Sequence, residues 1–188
     1  MLNKKQLFDM PIIDTENFIM RPVELNDAKD MFEYGSDIEV VATLPWGPYS
    51  NLEEVRSSIE NLFLNRPDKG IPVAYAIIWK ENNKMIGTCD FHTFSNFNKS
   101  GEIGYVLNKK YWGRGIITKA VMSLIEVGFE YLDLIRIQIK HSTVNDGSRR
   151  VIEKCGFIKE GLLRKDGIIK GEAQDNVVYS LIKSDYKK

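Results

Sequence analysis

The stretch Trp112-Gly113-Arg114-Gly115-Ile116-Ile117-Thr118 has the composition of a phosphate cradle. Two glycines one residue apart can take backbone angles that other residues resist, and they leave room for a ligand against the main chain. An apolar helical period follows at once, with Ala120, Val121, Leu124, Ile125 and Phe129 on one side, so the pair opens a helix over 117–131. The first amides of such a helix are unpaired and carry partial positive charge, which suits a phosphate. Thr118 adds a hydroxyl donor, and Arg114, Lys109, Lys110 and Lys119 add cations. The chain has neither a GxGxxG nor the longer glycine-rich loop with Gly-Lys-Ser/Thr of nucleotide hydrolases. By itself, a GxG turn reads equally as a tight connection whose glycines relieve crowding.

Other reactive residue types give less. Cys89 and Cys155 lack a CxxC spacing and read as reduced thiols, Cys155 as a small buried hydrophobe. His92 and His141 fall on separate strands without a clustered set of cysteines or carboxylates, so no metal site is expected. Both read as packed or solvated histidines, with His92 one strand away from Glu102. Ser148, three residues after Asn145, has the type and place of a cap for a short helix over 149–154.

The elements around these residues are legible from period and punctuation. A first strand spans 15–22, with Phe18 and Met20 on one face. Asn26 and Asp27 offer a cap for a helix carrying Ala28, Met31 and Phe32. The run Pro45-Trp46-Gly47-Pro48 breaks the chain. Ser50 with Glu53 forms a capping box for a helix with Val55, Ile59, Leu62 and Phe63 on one side, stopped by Pro67 and Gly70. Strands over 73–79, 85–94 and 102–107, joined by polar turns, form an antiparallel meander. After the helix over 117–131 come a strand over 134–139, the short helix with Gly156 as its stop, and a closing hairpin. That hairpin is 157–163 and 176–182, turning at Asp166-Gly167. The order β-α-α-β-β-β-α-β-α-β-β makes one mixed α/β (α+β) domain over 1–188, with a central, mostly antiparallel sheet flanked by helices.

Bulk properties narrow the function. A length of 188 residues suits one domain, and 43% hydrophobic with 28% charged residues supports both a core and a solvated surface. Lys plus Arg equals Asp plus Glu at 26 each, which argues against a general nucleic-acid binder. No apolar run approaches a membrane span, and no apolar stretch backs the N-terminal charges, so the expected location is the cytoplasm.

Three stretches in order resemble successive motifs of the GNAT superfamily of acyl-CoA N-acyltransferases, nearest the RimJ/RimL type that includes ribosomal-protein N-terminal acetyltransferases. They are Gly101-Glu102-Ile103-Gly104-Tyr105-Val106-Leu107, Tyr111 to Ala120, and Asn145-Asp146-Gly147-Ser148 continuing to Phe157. Likeness also runs outward from Phe18-Ile19-Met20-Arg21-Pro22 to the last strand. The pyrophosphate motif departs from the usual pattern, with Trp112 at its first place and Ile117 where Gly or Ala is common.

The resemblance implies acetyl-CoA as cosubstrate and no metal. Its pantetheine arm would bond the main chain near Tyr105, Val106 and Leu107. Its pyrophosphate would sit on Gly113, Arg114, Gly115, Ile116, Ile117 and Thr118, beside Trp112. A free amine would attack the thioester, a tetrahedral intermediate would collapse, and the CoA thiolate would leave. Glu102 is the implied base, against an ordinary ion-pair glutamate, and Asp175 is a weaker candidate. The resemblance makes Ser148 proton donor to the thiolate, compatible with a cap, and Asn145 a contact to the cofactor. Trp46 and Tyr49 either line the acceptor pocket or plug the core. The acceptor would be a protein N-terminal α-amine, or alternatively a small amine such as an antibiotic, polyamine or metabolite. A CoA-binding protein without turnover is the third alternative. The charge balance and the lack of a long apolar run imply no membrane or direct nucleic-acid partner, and a homodimer is left open.

Overall fold

The computed structural model describes residues 4–186. The chain begins with α1 (Lys4–Phe8), followed by β1 (Ile13–Asp14) and β2 (Phe18–Pro22). Three residues shorter at its start than the apolar pattern implied, β2 nonetheless buries Phe18 and Met20 together. Asp27 ends a 3-10 turn over Leu25–Asp27 rather than capping the next helix through its side chain. Its carboxylate instead accepts from Arg21 at 2.7 and 2.9 Å and from the Glu24 amide at 2.8 Å. Three helices follow, α2 (Ala28–Gly35), α3 (Ile38–Val41) and α4 (Leu52–Ser58).

The cap of α4 lies one residue beyond the expected Ser50–Glu53 pair. Asn51 Oδ1 accepts the Glu54 amide at 3.0 Å, while Glu54 Oε2 accepts the Ser50 amide at 2.8 Å. Asparagine competes well with serine for this role, and the reciprocal carboxylate then falls on Glu54. Beyond α4 the helix widens into a π turn over Ile59–Leu64, which leaves Leu62 exposed while Val55 and Ile59 stay buried.

The meander is as expected: β3 (Tyr75–Trp79), β4 (Lys84–Ser95) and β5 (Ser100–Leu107) are antiparallel neighbours. The long helix is α5 (Ile116–Glu126), whose last turn widens over Val127–Tyr131. Then come β6 (Arg136–Ser142), α6 (Asp146–Lys154), β7 (Ile158–Ile169) and β8 (Glu172–Ile182). The hairpin turns at Lys170-Gly171, both at positive φ, and not at Asp166-Gly167. Gly167 pairs with Gln174 inside the strand, past a register shift where Lys165 has φ 52°. Asp175 Oδ1 accepts the Lys165 amide at 2.8 Å, so this carboxylate holds the irregularity.

The sheet has eight strands in the order β1-β2-β3-β4-β5-β6-β8-β7. All pairings are antiparallel except β5 with β6. One face carries Ile103, Leu107, Ile137 and Ile139 against α5, with Ile116, Ala120, Leu124 and Ile125 completing the core. The other face packs Ala76, Ile78 and Met85 against Met31 and Tyr34 of α2 and Val55 of α4. No helix of the described residues is long and apolar enough to cross a membrane.

Candidate active site

The parallel pair β5–β6 is joined over only three positions, Ser100 with Arg136, Gly101 with Ile137 and Glu102 with Gln138. Beyond them β6 stays with β8 and β5 stays with β4, so the two strands part. The β5 edge from Ile103 to Leu107 therefore faces a gap with no strand on that side. Unpaired edge amides and carbonyls need partners, and an extended ligand can supply them. Trp112 Nε1 takes one of those carbonyls, donating to Leu107 O at 2.8 Å.

At the far end of that edge the glycine pair behaves as its spacing requires. Gly113 has φ 75° and Gly115 φ 73°, and a Cβ at either would meet no atom within 4 Å. Gly115 is the N-cap of α5 and no side chain caps it. The first helical bond is Lys119 N to Gly115 O at 3.0 Å, which leaves the amides of Ile116, Ile117 and Thr118 ahead of the ladder. Open space above exposed amides at a helix start fits a diphosphate. The side chain of Ile117 belongs to the core and is 8% exposed, so its bulk does not crowd the cradle.

The cations around this turn are arranged differently from expectation. Lys109 Nζ lies 2.5 Å from Glu39, and Lys110 Nζ lies 2.7 Å from Glu33. Both are committed to the helices of the opposite layer, so Arg114 and Lys119 are the cations left nearest the turn. Glu33 also accepts from Lys84 at 3.0 Å and Asn108 at 3.3 Å, tying α2 to the connection that leads into the cradle. Hydrogen bonds from Lys110, Lys84 and Asn108 pull the Glu33 carboxyl down to about 2. Because its folded value lies below the unfolded one, Glu33 stabilises the fold above about pH 4.5 and loses that contribution as pH falls towards 2. Glu33→Gln is therefore expected to lower the melting temperature at pH 7, with the gap from the parent closing between pH 4.5 and 2.5. Thermal melts across that range check it.

At the fork sits Glu102, 7% exposed. Gln138 Nε2 donates to its Oε2 at 2.7 Å. His92 Nε2 lies 3.4 Å and Lys140 Nζ 3.6 Å from its Oε1. Burial pushes this carboxyl up, but the His92 and Gln138 hydrogen bonds and the nearby cationic charge outweigh burial, and the net shift is downward. Glu102 is thus a charged hub rather than an ordinary surface glutamate. The contact with His92, expected to be merely packed or solvated, is made by an irregularity in β4 between Phe91 and Thr93.

On the other side of the gap, α6 starts three residues earlier than expected, because Asn145 and not Ser148 is its cap. Asn145 Oδ1 accepts the Ser148 amide at 3.0 Å, and Asn145 Nδ2 donates to Thr43 Oγ1 at 2.9 Å. Relieved of capping, the Ser148 hydroxyl pairs with Tyr105 Oη at 2.7 Å. Burial, partly offset by that bond, pushes the Tyr105 phenol well up, so it stays protonated. This hydroxyl pair spans from β5 to α6.

Trp46 and Tyr49 stack with centroids 5.2 Å apart. Both pack half-buried against the cluster of α2 and α4. Lys170, at the tip of the β7–β8 hairpin, donates to Trp46 O at 2.6 Å and to Gly47 O. A shallow groove of about 580 Å³ lined by residues such as Tyr49, Glu53 and Ser58 shares only Tyr49 with the site residues expected from the sequence. Burial pushes Cys155 up to about 12 and Cys89 well above the usual thiol value, so neither is an activated nucleophile.

Known proteins share the sequence and the fold. Residues 17–158 match the model described as the acetyltransferase (GNAT) domain. The chain is 35% identical over 177 residues to uncharacterized N-acetyltransferase p20 of Bacillus licheniformis, covering 94% of this chain and 99% of that protein. It is 31% identical over 142 residues to the ribosomal-protein-serine acetyltransferase of Escherichia coli, covering 74% and 77%. Among solved structures, the ribosomal-protein-S5-alanine acetyltransferase from Vibrio fischeri superposes with a TM-score of 0.79 at 26% identity, covering 95% of this chain and all of that one. A sheet split at Glu102, an open glycine cradle at the start of α5 and these matches lead to one conclusion: the chain belongs to the GNAT family of acetyl-CoA-dependent N-acetyltransferases.

Proposed function

We propose that this chain, acting as one domain in the cytoplasm, acetylates the N-terminal α-amine of a protein. The amides at Ile116–Thr118, with Gly113, Arg114 and Gly115 around them, hold the diphosphate of acetyl-CoA. The open edge at Tyr105, Val106 and Leu107 receives its pantetheine arm, and Trp112 braces that edge. Acetyl-CoA supplies the activated acyl group, and the main chain and side chains of this protein do the rest. Asn145 positions Ser148, and the Ser148–Tyr105 pair gives a proton to the departing thiolate. Glu102 anchors the acceptor side, with Trp46 and Tyr49 walling the approach.

The observation that carries the acceptor class is the charge balance on the Glu102 face. Asp90 pairs with Arg66 at 2.5 Å, and Lys140 lies between Asp166 at 3.1 Å and Glu102 at 3.6 Å, with the His92 ring also against Glu102. A polyamine needs several free carboxylates, and these three already face cations or a ring nitrogen. A terminal α-amine, with a pKa of about 7.7–8.0, is partly neutral near pH 7 and needs none. A lysine amine near 10.4 is neutral only about once in 2,500 at that pH. Two relatives named for ribosomal-protein serine and alanine acetylation support the same reading.

Peptides beginning with Ser or Ala, the same peptides blocked at the N-terminus but carrying lysine, and spermidine separate the alternatives by thiol release. Turnover is expected only on the free N-termini. Turnover confined to spermidine or another small amine would overturn the assignment.

A further inference from the structure

His92 stands in the fork with one nitrogen committed and the other free. Its Nε2 faces Glu102 Oε1 at 3.4 Å. Its Nδ1 lies over Gly104 of β5, where an added Cβ would come within 2.9 Å of it. Nδ1 has no hydrogen-bond partner among the described residues, and the side chain is 43% exposed. Glycine at 104 leaves room for the ring over β5, two residues from Glu102 and one from Tyr105.

Glu102 is poorly placed to take a proton itself. Its Oε2 is held by Gln138 and its Oε1 faces Lys140 and His92. The groups held below their ordinary range here are carboxylates paired with cations: Glu102, and Asp166 beyond Lys140. A carboxyl held below its ordinary range by these partners has less driving force for accepting an ammonium proton. A charged carboxylate against a ring nitrogen, by contrast, selects the tautomer with the proton on Nε2 and leaves the lone pair on Nδ1.

We propose that His92 Nδ1 is the proton acceptor for the attacking amine and that Glu102 orients the ring from behind. This rests on the acetyltransferase reading above and adds a residue to it. The amine lone pair forms the N–C bond to the acetyl carbonyl carbon, and the C–S electron pair leaves on sulfur. The proton lost by the nitrogen goes to His92 Nδ1, while sulfur takes a proton from the Ser148–Tyr105 pair. Solvent then removes the proton from the exposed imidazolium and replaces the one given by Ser148. Glu102 stabilises the imidazolium without itself being protonated. Around the ring, the charged groups are Glu102 on β5, Lys140 on β6 and Asp166 on β7, with the Arg66–Asp90 pair further along β4.

The test is His92→Ala, with an N-terminal peptide as acceptor and free imidazole added back. The wild-type protein must first bind acetyl-CoA and release thiol with some amine; if it does neither, the family-level reading of the site fails, independently of His92. Given a working enzyme, His92→Ala is expected to lower kcat at least about 100-fold. Its affinity for acetyl-CoA should stay within about twofold by calorimetry, which also shows the fold intact. Imidazole should restore activity at least about tenfold, and the rescued rate should rise with basicity across substituted imidazoles. A loss under about fivefold overturns the proposal and returns the proton to Glu102 or to water. A large loss that no imidazole restores also overturns it, since the ring would then only fill space.

Discussion

Gly115→Glu is expected to weaken acetyl-CoA binding by at least about 100-fold while leaving the fold in place. Three unpaired amides at the start of α5, on Ile116, Ile117 and Thr118, carry the partial charge that draws a diphosphate. A carboxylate on residue 115 reaches the same amides, occupies them within the chain and repels the ligand. A loss of 100-fold is about 2.7 kcal/mol, a reasonable sum for competed hydrogen bonds to charged groups plus like-charge repulsion. The structural cost is separate and smaller. Residue 115 has φ 73°, which costs a non-glycine roughly 1–2 kcal/mol, but a side chain there meets open space. Gly115→Ala carries that conformational cost without the charge, so it should lower the melting temperature as much as Gly115→Glu. Its affinity should fall far less. Calorimetry with acetyl-CoA and thermal melts on both variants separate the two effects. Equal affinity losses would show that backbone shape, and not the competing charge, dominates.

Ser148→Ala is expected to lower kcat about 100-fold with little change in KM for acetyl-CoA. The hydroxyl lies 2.7 Å from Tyr105 Oη, and its position is set by Asn145, which grips the Ser148 amide and Thr43 together. The phenol is kept protonated by burial, so it can feed the serine oxygen as that oxygen loses its own proton. General-acid assistance to a leaving group contributes about 10²–10⁴-fold. Because Ser148 does not cap α6, the substitution removes no helix-start bond, and the melting temperature should barely move. A merely structural serine would give the opposite pattern. Thiol release under saturating acetyl-CoA, paired with thermal melts, distinguishes them. A fall of less than about tenfold would remove Ser148 from the acid role, and thiolates, being modest bases, would then leave unaided.

What could be read before folding was whatever depends on neighbours along the chain. The stripe Ala120, Val121, Leu124 and Ile125 required α5, and all four are buried. The glycine pair required a turn at positive φ, and both residues have it. The Glu81-Asn82-Asn83-Lys84 turn required a hairpin between β3 and β4, with Asn83 at φ 55°. The errors were in competition between local options of similar strength. Serine and asparagine a few residues apart both cap helices, and the chain chose Asn51 over Ser50 and Asn145 over Ser148. Asp166-Gly167 and Lys170-Gly171 both turn hairpins, and pairing to β8 through Gly167 selected the second.

By itself, then, the sequence determined the longer elements, the family likeness and the glycine turn, because backbone angles and helix periods are short-range properties. It did not determine the short α1, β1 and α3, since the shortest elements carry too few residues to show a period. Only the tertiary structure decided which side chains meet. Glu102, His92, Gln138 and Lys140 come from three strands, and no spacing along the chain reports their approach. Nor does spacing reveal that Lys109 and Lys110 are spent on Glu39 and Glu33. The physical reason is the parting of β5 from β6 just past Glu102. Where two strands separate depends on what packs beneath and beyond them, and that is a property of the whole sheet.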